Sequence, residues 1–358
     1  PEEPAHLPTV LTPSARAPPE GGEVPPLLEH CVLLGASPQA LDAAWAAAAP
    51  QLGAGGQLGL RCEPEKLVCF PAVPEVEALE HFCFPQLVPV ACSLRDRAHP
   101  GGDPAGAPVL LGRTTFVLHT SKGHDALTDK LFGVCLYWDH PLLLSAAPPP
   151  PPRADAPPRA DRERAGVRSV LVRSRRCLCL LSRVALFDLH VRALALIVRN
   201  EVARDAELIA AGAGAARAVG LSPASVRVLE EYFLARAAPP DAQRAQCALA
   251  VAGAELVFRW DAETLERQEE AASVRAGMAL LFGHLSMRNV ITALTAMLLE
   301  RRVVVQCGDL AILTAITLAL PYLLRPYRWV NAALPLVPPA LDAFLAAPVP
   351  FVAGPPPP

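Results

Sequence analysis

The stretch from Ser286 to Gly354 alternates between apolar runs and short polar breaks, and it restricts the folds open to this chain. Apolar residues within Val290–Leu298 recur at the spacing of one helical face, and either Ser286 or Asn289 can supply the N-cap. The β-branched run Val303–Cys307 follows and predicts a short buried strand. A helix, a strand and a further apolar run in this order predict an α/β core.

The run Leu310–Leu324 is apolar on almost every side and fits either a buried helix or a membrane span. A span needs roughly 17–25 apolar residues. This run is shorter, Pro321 interrupts it, and Arg325 and Arg328 follow closely. A buried helix that begins after the Gly308-Asp309 turn is therefore favoured over a membrane hairpin.

Length and charge narrow the class of protein. A chain of 358 residues can hold two domains. The net charge of -3 and pI of about 6.3 give no basic footprint for nucleic acid. The first thirty residues contain no apolar core of a signal peptide, which favours a cytoplasmic protein. Because the sequence begins with Pro1 rather than Met and stops in Pro355–Pro358, we expect it to be either an excerpt of a longer protein or an incomplete gene model.

The ten cysteines form no CxxC pair, and no Cys/His group has the spacing of metal ligands. Several, including Cys135, Cys177, Cys179 and Cys307, lie in apolar runs. Unpaired cysteine is among the most buried residue types. The sequence therefore predicts a reduced protein with core cysteines and no metal site.

A proline run at Pro148–Pro152, followed by eight arginines within Arg153–Arg176, marks the clearest boundary. A solvated linker is the favoured interpretation, and a basic segment that touches anionic lipid is the alternative. The predicted organisation is a disordered Pro-rich start (1–26), an upstream module (27–145), a Pro/Arg-rich linker (146–175), a central module (176–354) and a Pro tail (355–358).

Local patterns predict the elements of both modules. Ser37 caps a helix that begins at Pro38, and the alternating runs Thr114–Thr120 and Leu131–Trp138 predict a hairpin. Beyond the linker, Cys177–Leu181 predicts a buried strand, Phe187–Ile197 a helix, Ser222-Pro223 the start of another helix, and Ala248–Trp260 a strand that ends at a helix cap, Asp261.

The order LLERRVVV, RPYRWV, LPLVPP and AAPVPFVAG within Ser286–Gly354 resembles the central module of DENN domains, which are exchange factors for Rab-type small GTPases. Upstream, Phe82–Pro85 (FCFP) and Leu131–Trp138 (LFGVCLYW) resemble the preceding module of the same family. The resemblance implies an α/β protein with a two-lobe DENN fold, in which a longin-like N-terminal module precedes an α/β central module. The family's downstream helical module is expected to be absent or truncated.

No catalytic motif accompanies this resemblance: the chain lacks phosphate-binding, nucleophile-elbow and HExxH patterns. His99, His124 and His140 lie in polar contexts, and His190 and His284 lie in helical runs, where satisfied structural histidines are expected. An exchange factor needs no covalent chemistry, since it acts by binding the nucleotide-free GTPase more tightly than the loaded form. We therefore expect no enzyme in the covalent sense, no cofactor and no small-molecule substrate.

The resemblance also implies a partner and a surface. The expected partner is a Rab-type GTPase in vesicle trafficking, bound through its switch regions, with cytoplasmic localisation and peripheral contact with endomembranes such as endosomes. Each interface candidate also has a structural interpretation, such as packing by Tyr327 together with Trp329. The five candidates adjoin the matched motifs and are Arg302, Gly308, Asp309, Tyr327 and Arg328.

Two other functions remain open at this point. Some divergent relatives of the DENN fold supply an arginine finger for GTP hydrolysis, for which Arg153–Arg176 offers candidates. A non-catalytic trafficking adaptor that holds a small GTPase is the other alternative. The sequence predicts neither the identity of the GTPase nor the membrane that is served.

Overall fold

A computed structural model describes residues 8–12, 26–48, 57–76, 78–95, 110–119, 130–145, 169–210, 220–235, 246–260 and 264–357 of this chain. It shows a mixed α/β architecture, as the sequence predicted. The α-helices are α1 (Pro38–Ala48), α2 (Leu79–Cys83), α3 (Phe187–Ala210), α4 (Pro223–Leu234), α5 (Leu265–His284), α6 (Met287–Leu298) and α7 (Leu310–Ala319).

The first and larger sheet has eight strands and is almost wholly antiparallel. Only the first two-residue strand pairs in parallel, with the fourth. The strands are β1 (Thr9–Val10), β2 (His30–Gly35), β3 (Gln57–Cys62), β4 (Glu65–Phe70), β5 (Val88–Arg95), β6 (Leu110–His119), β7 (Lys130–Ser145) and β8 (Ser169–Ser182).

Strand β8 is the centre of this sheet. Along its whole length it pairs with β7, and on its other side it pairs first with β5 and then, over Cys177–Leu181, with β2. The predicted strand at Cys177–Leu181 is therefore present. It begins at Ser169, however, inside the predicted linker, because Ser169–Ser174 completes the ladder with β5. The sheet thus takes strands from both sides of 146–168, and those residues lie outside the described part of the chain.

The predicted disordered start also differs from the structure at one point. Thr9 and Val10 form β1 and align with Val68 and Cys69 of β4. A threonine and a valine, both β-branched, suit a strand added to an open sheet edge. Residues 1–7 and 13–25 lie outside the described part of the chain. Near the other end of the chain, the Pro357 carbonyl accepts a hydrogen bond of 3.0 Å from the side-chain amide of Gln86.

The two faces of the first sheet carry two separate cores. Successive residues of β7 and β8 point to opposite faces. One face, which includes Trp138 and Leu178, packs against α3 and α4. The other face, which includes Cys135 and Cys179, belongs to a core shared with α2, α6 and α7. Helices on both sides of one sheet bury it completely at its centre.

Helix caps follow the sequence closely. The Ser37 hydroxyl accepts from the Ala40 N–H over 3.2 Å, and Ser222 accepts from Ser225 at the start of α4. Of the two predicted caps for α6, Ser286 is the one used, since it accepts from the Asn289 N–H. The predicted cap at Asp261 lies outside the described residues, and Thr264 caps α5 in the structure.

The region predicted as one strand from Ala248 to Trp260 is a hairpin. It consists of β9 (Gln246–Val251) and β10 (Ala254–Arg259). The turn residues Ala252 and Gly253 have φ of 48° and 78°. A two-residue turn with positive φ at both positions matches the twist of the flanking strands, so the alternating pattern folds back on itself.

The predicted helix–strand–helix block forms the second sheet and its flanks. Its strands are β11 (Val303–Val304), β12 (Ala332–Leu334) and β13 (Phe351–Ala353), parallel and in the order β11-β13-β12. Strand β11 is shorter than predicted. The Leu310–Leu324 run is α7 followed by a 3₁₀ helix at Leu320–Leu324, where Pro321 cannot continue the α-helix. A further 3₁₀ segment spans Pro339–Ala346.

Helix α7 packs closely against α5. A Cβ at Gly277 of α5 would lie 1.9 Å from the Ala315 carbonyl oxygen, so only glycine allows this approach. The buried side of α7 includes Leu313 and Ile316, which agrees with the interpretation of a core helix. Among the described helices, none has the length and apolarity needed to cross a bilayer.

Candidate functional site

The five predicted interface residues fall at two ends of the second sheet. Arg302 directly precedes β11, and Tyr327 and Arg328 precede β12, whereas Gly308 and Asp309 follow β11. Because β11 and β12 are both parallel to β13, the first three residues come at the edge where the strands start. Gly308 and Asp309 come at the edge where the strands end. The structure therefore separates the candidates into two groups.

Tyr327 is the most informative of these residues. Its side chain is 70% exposed, and Val330 three residues later is 84% exposed. The structural interpretation of Tyr327 as a packing residue is therefore wrong. Trp329 does serve the turn: it is half-buried, and its indole N–H donates to the Ala332 carbonyl over 3.2 Å.

Ion pairs to α5 hold the turn on both sides of Tyr327. Arg325 pairs with Glu270, and Arg328 pairs with Glu266. The two glutamates lie in the first turns of α5, where negative charge also suits the helix dipole. Since its neighbours are anchored, Tyr327 is presented to solvent from a turn fixed at two points.

Asp309 has a clear structural role. Its carboxylate accepts from the Ala311 N–H over 2.8 Å and from the Ile312 N–H over 3.2 Å, which makes it the N-cap of α7. Gly308 beside it is exposed. Arg302 is also exposed, and it follows Glu300, whose φ of 51° ends the turn after α6.

Helix α6 adds an apolar surface that sequence reasoning did not single out. It packs against β11 and against the 3₁₀ helix at Leu320–Leu324, which leads into the Tyr327 turn. Its outer side exposes Met287, Ile291 and Leu298, and Leu299 beyond its end is 63% exposed. Residues at i, i+4 and i+11 share one side of a helix. Exposed large apolar side chains on one side of a helix are compatible with a protein-binding surface.

The buried histidines are structural. His190 lies between two partners: its Nε2 is 2.8 Å from the Val184 carbonyl, and its Nδ1 is 2.8 Å from the Tyr232 hydroxyl. The ring therefore donates from Nε2 and accepts at Nδ1. Burial lowers the pKa of His190 to about 4. This agrees with the predicted satisfied histidine.

His140 was expected in a polar loop context, and that expectation is wrong. It lies in β7, buried, with Nδ1 2.7 Å from Oδ2 of Asp205 on α3. Burial and the nearby buried Arg176 lower the pKa of His140 to about 4, against the raising effect of Asp205. Since no part of the pair reaches solvent, it ties α3 to the sheet and does not form an accessible catalytic dyad.

The structure offers little room for a small-molecule substrate at the pocket beside the start of α3. This pocket holds about 100 Å³, with Asp188 between Arg113 and Arg275 at its edge. Small-molecule sites usually occupy about 300–1,000 Å³. Asp188 and His190, two residues apart, have separate partners and do not meet.

Comparison with known proteins decides the family. A model of the DENN (AEX-3) domain matches residues 173–356, just over half of the 358 residues. The chain belongs to the DENN domain family. The matched region of this DENN protein begins within β8 and includes α3 to α7 and the whole second sheet.

Shorter stretches resemble individual DENN proteins. Human DENN domain-containing protein 2A is 35% identical over 74 residues, which is 21% of this chain and 7% of that protein. Mouse DENN domain-containing protein 2B is 30% identical over 90 residues, which is 25% of this chain and 8% of that protein. The similarity thus spans less than a tenth of the length of these relatives. It confirms the family resemblance that the motifs in Ser286–Gly354 indicated.

Proposed function

We propose that this DENN domain promotes GDP release from a Rab-type small GTPase by binding its switch regions. DENN domain proteins are in general exchange factors for Rab-type GTPases, and this chain shares their domain over 173–356. The single observation that carries the proposal is the exposed Tyr327, which two ion pairs to α5 hold in place. Exposed, pre-positioned tyrosines flanked by arginines are common binding hot spots.

The proposed contact surface is the edge where β11 and β12 start. It combines Tyr327 and Val330 with Arg302, and Arg328 orients the turn through Glu266. The exposed side of α6 continues this surface through its contact with the 3₁₀ helix at Leu320–Leu324. At the opposite edge Gly308 remains a candidate for a separate contact, whereas Asp309 is assigned to capping α7.

The mechanism follows from linkage. Small GTPases hold their switch loops in place through the γ-phosphate and Mg²⁺. The proposed surface binds the switches in their nucleotide-free arrangement and thereby lowers the affinity of the GTPase for nucleotide. Bound nucleotide lowers the affinity of the GTPase for the surface by the same factor. This role requires shape and charge, and no nucleophile or general base. The proposed setting is the cytoplasmic side of an endomembrane. The division of the chain into an upstream and a central module by a linker at 146–175 is also part of the proposal.

A panel of Rab-type GTPases loaded with fluorescent GDP tests the function. The chain should accelerate GDP release from at least one member, with no effect on GTP hydrolysis. Faster hydrolysis without faster release would favour a GTPase-activating protein. Stable binding with neither effect would favour the adaptor. Of the arginines proposed for an arginine finger, Arg176 is buried and Arg175 pairs with Asp139, and 153–168 lies outside the described residues.

A further inference from the structure

Three cysteine thiols meet in the core between α2 and the first sheet. The Sγ atoms of Cys83, Cys135 and Cys179 all lie within 4.8 Å of one another, and those of Cys83 and Cys135 are 3.5 Å apart. Cys83 ends α2, and the other two are direct cross-strand partners on β7 and β8. All three are buried and carry free thiols.

These separations suit a shared metal ion. Thiolate sulfur lies about 2.3 Å from Zn²⁺, so two sulfurs of a tetrahedral site are about 3.8 Å apart. The Cys83–Cys135 separation of 3.5 Å is close to that value, and the other two separations do not exceed 4.8 Å. Ordinary packing of thiols does not require three sulfur atoms from three separate elements to converge on one point.

Cys177 supplies a fourth sulfur nearby. It stands two residues before Cys179 on β8 and therefore points to the same face of the sheet. Its thiol is close enough to those of Cys83 and Cys135 to interact with both.

Binding of a metal ion would displace the protons of the thiols that become its ligands.

The rest of the shell would fix the ligands and keep water out. The Tyr137 hydroxyl donates to the Cys83 carbonyl over 2.8 Å and lies 2.9 Å from the Thr114 hydroxyl. The rings of Phe82 and Phe116 close the same core. Because the thiols are sealed from solvent, the ion would enter as the protein folds.

We propose that Cys83, Cys135 and Cys179 bind one thiophilic d¹⁰ cation, either Zn²⁺ with Cys177 as the fourth ligand or Cu⁺ with three thiolates. The ion would fasten α2 to β7 and β8. This site is independent of the proposed exchange function, since its ligands are buried in the core whereas Tyr327 is exposed. Sequence spacing could not reveal it, because the ligands are far apart along the chain.

Anaerobic refolding of the whole chain tests the proposal. Refolding with Co²⁺, a spectroscopic stand-in for Zn²⁺, should bind one ion per chain and give thiolate-to-cobalt charge-transfer absorption together with tetrahedral d–d bands. In the second arm, the refolded chain should retain one Cu⁺ against a colorimetric Cu⁺ chelator. Binding in the first arm identifies the four-ligand site, and binding in the second arm alone identifies the three-ligand site.

A matched control separates ligation from packing. Cys31 is also buried but lies in the other core, on the opposite face of the sheet. Cys135→Ser should lose the ion, whereas Cys31→Ser should keep it. The proposal would be overturned if Cys135→Ser retained the metal ion, or if both variants lost it equally. Should Cys135→Ser not refold, the wild-type protein still decides, because a refolded chain that takes up neither Co²⁺ nor Cu⁺ contradicts it.

Discussion

Lys130 Nζ lies 2.8 Å from Oε1 of Glu269, and this ion pair joins the start of β7 to α5. Both side chains are half-buried, and the Tyr322 hydroxyl lies 3.5 Å from the same carboxylate oxygen. The pair therefore connects the first sheet to the α5–α7 layer that carries the Tyr327 turn.

We expect Glu269→Gln to lower the free energy of unfolding by about 1 kcal/mol, because the pair is partly shielded from water. Denaturant unfolding measures this, and a double-mutant cycle with Lys130→Met isolates the coupling. The control is Asp139→Asn, which breaks the more exposed pair with Arg175 and should cost less than about 0.5 kcal/mol. A zero coupling energy between Lys130 and Glu269 would contradict the assignment.

Replacing each of two glycines of α5 by alanine should have opposite effects on the free energy of unfolding. At Gly277 a Cβ would meet the Ala315 backbone, so α5 and α7 must move apart, and we expect a loss of about 2–4 kcal/mol. At Gly283 no atom lies within 4 Å of the added Cβ, and alanine should stabilise the helix by up to about 1 kcal/mol. Thermal unfolding of both variants checks the difference, and equal effects would refute the packing argument.

The buried histidines make stability depend on pH. The pKa of His190 is about 4 in the folded chain, against 6.5 for the free group. Between these values the unfolded chain binds a proton that the folded chain does not, so stability is complete above pH 6.5 and falls as the pH drops towards 4. The loss between pH 7 and pH 5 should be about 2 kcal/mol from this residue. His140 acts in the same direction.

Urea unfolding at several pH values measures the effect. His190→Gln, which keeps a donor for Val184, should reduce the dependence on pH between 7 and 5. His284→Gln changes an exposed histidine and should leave that dependence as in the wild type. The assignment fails if His190→Gln has the same pH profile as the wild-type protein.

Several local features were predictable from sequence because neighbouring residues determine them. The cap at Ser37, the hairpin of β6 and β7, and the start of α6 at Ser286 all follow from short patterns. The turn that splits Ala248–Trp260 was missed, since alternation of apolar residues is the same in one strand and in two paired strands. The positive φ at Ala252 carried no sequence signal, because alanine rarely adopts it.

Features that depend on distant residues were not predictable. The central position of β8 results from pairing with β2, β5 and β7, which no local pattern encodes. The burial of His140 and the meeting of Cys83 with Cys135 arise in the same way. The pattern in Ser286–Gly354 predicted α6, β11 and α7 but not β12 and β13, and it did not show that Asp309 caps α7 while Tyr327 is exposed.

Tyr327 and Asp309 should therefore differ when each is replaced by alanine. Tyr327→Ala removes an exposed side chain, so stability should change by less than about 0.5 kcal/mol, while GDP release slows about tenfold or more through loss of a binding contact. Asp309→Ala removes the cap of α7 and should cost about 1 kcal/mol of stability, with little effect on release. Paired exchange and unfolding measurements separate the two, and unchanged release with Tyr327→Ala would reject the proposed surface.

The affinity of the chain for one GTPase in its nucleotide-free and GDP-loaded states tests the proposed function most directly. Titration calorimetry across the Rab-type panel gives both dissociation constants. Linkage requires an exchange factor to prefer the nucleotide-free state, and a preference of tenfold or more corresponds to at least about 1.4 kcal/mol of coupling. The proposal predicts this preference for at least one member of the panel. Equal affinities for the two states throughout the panel would contradict it.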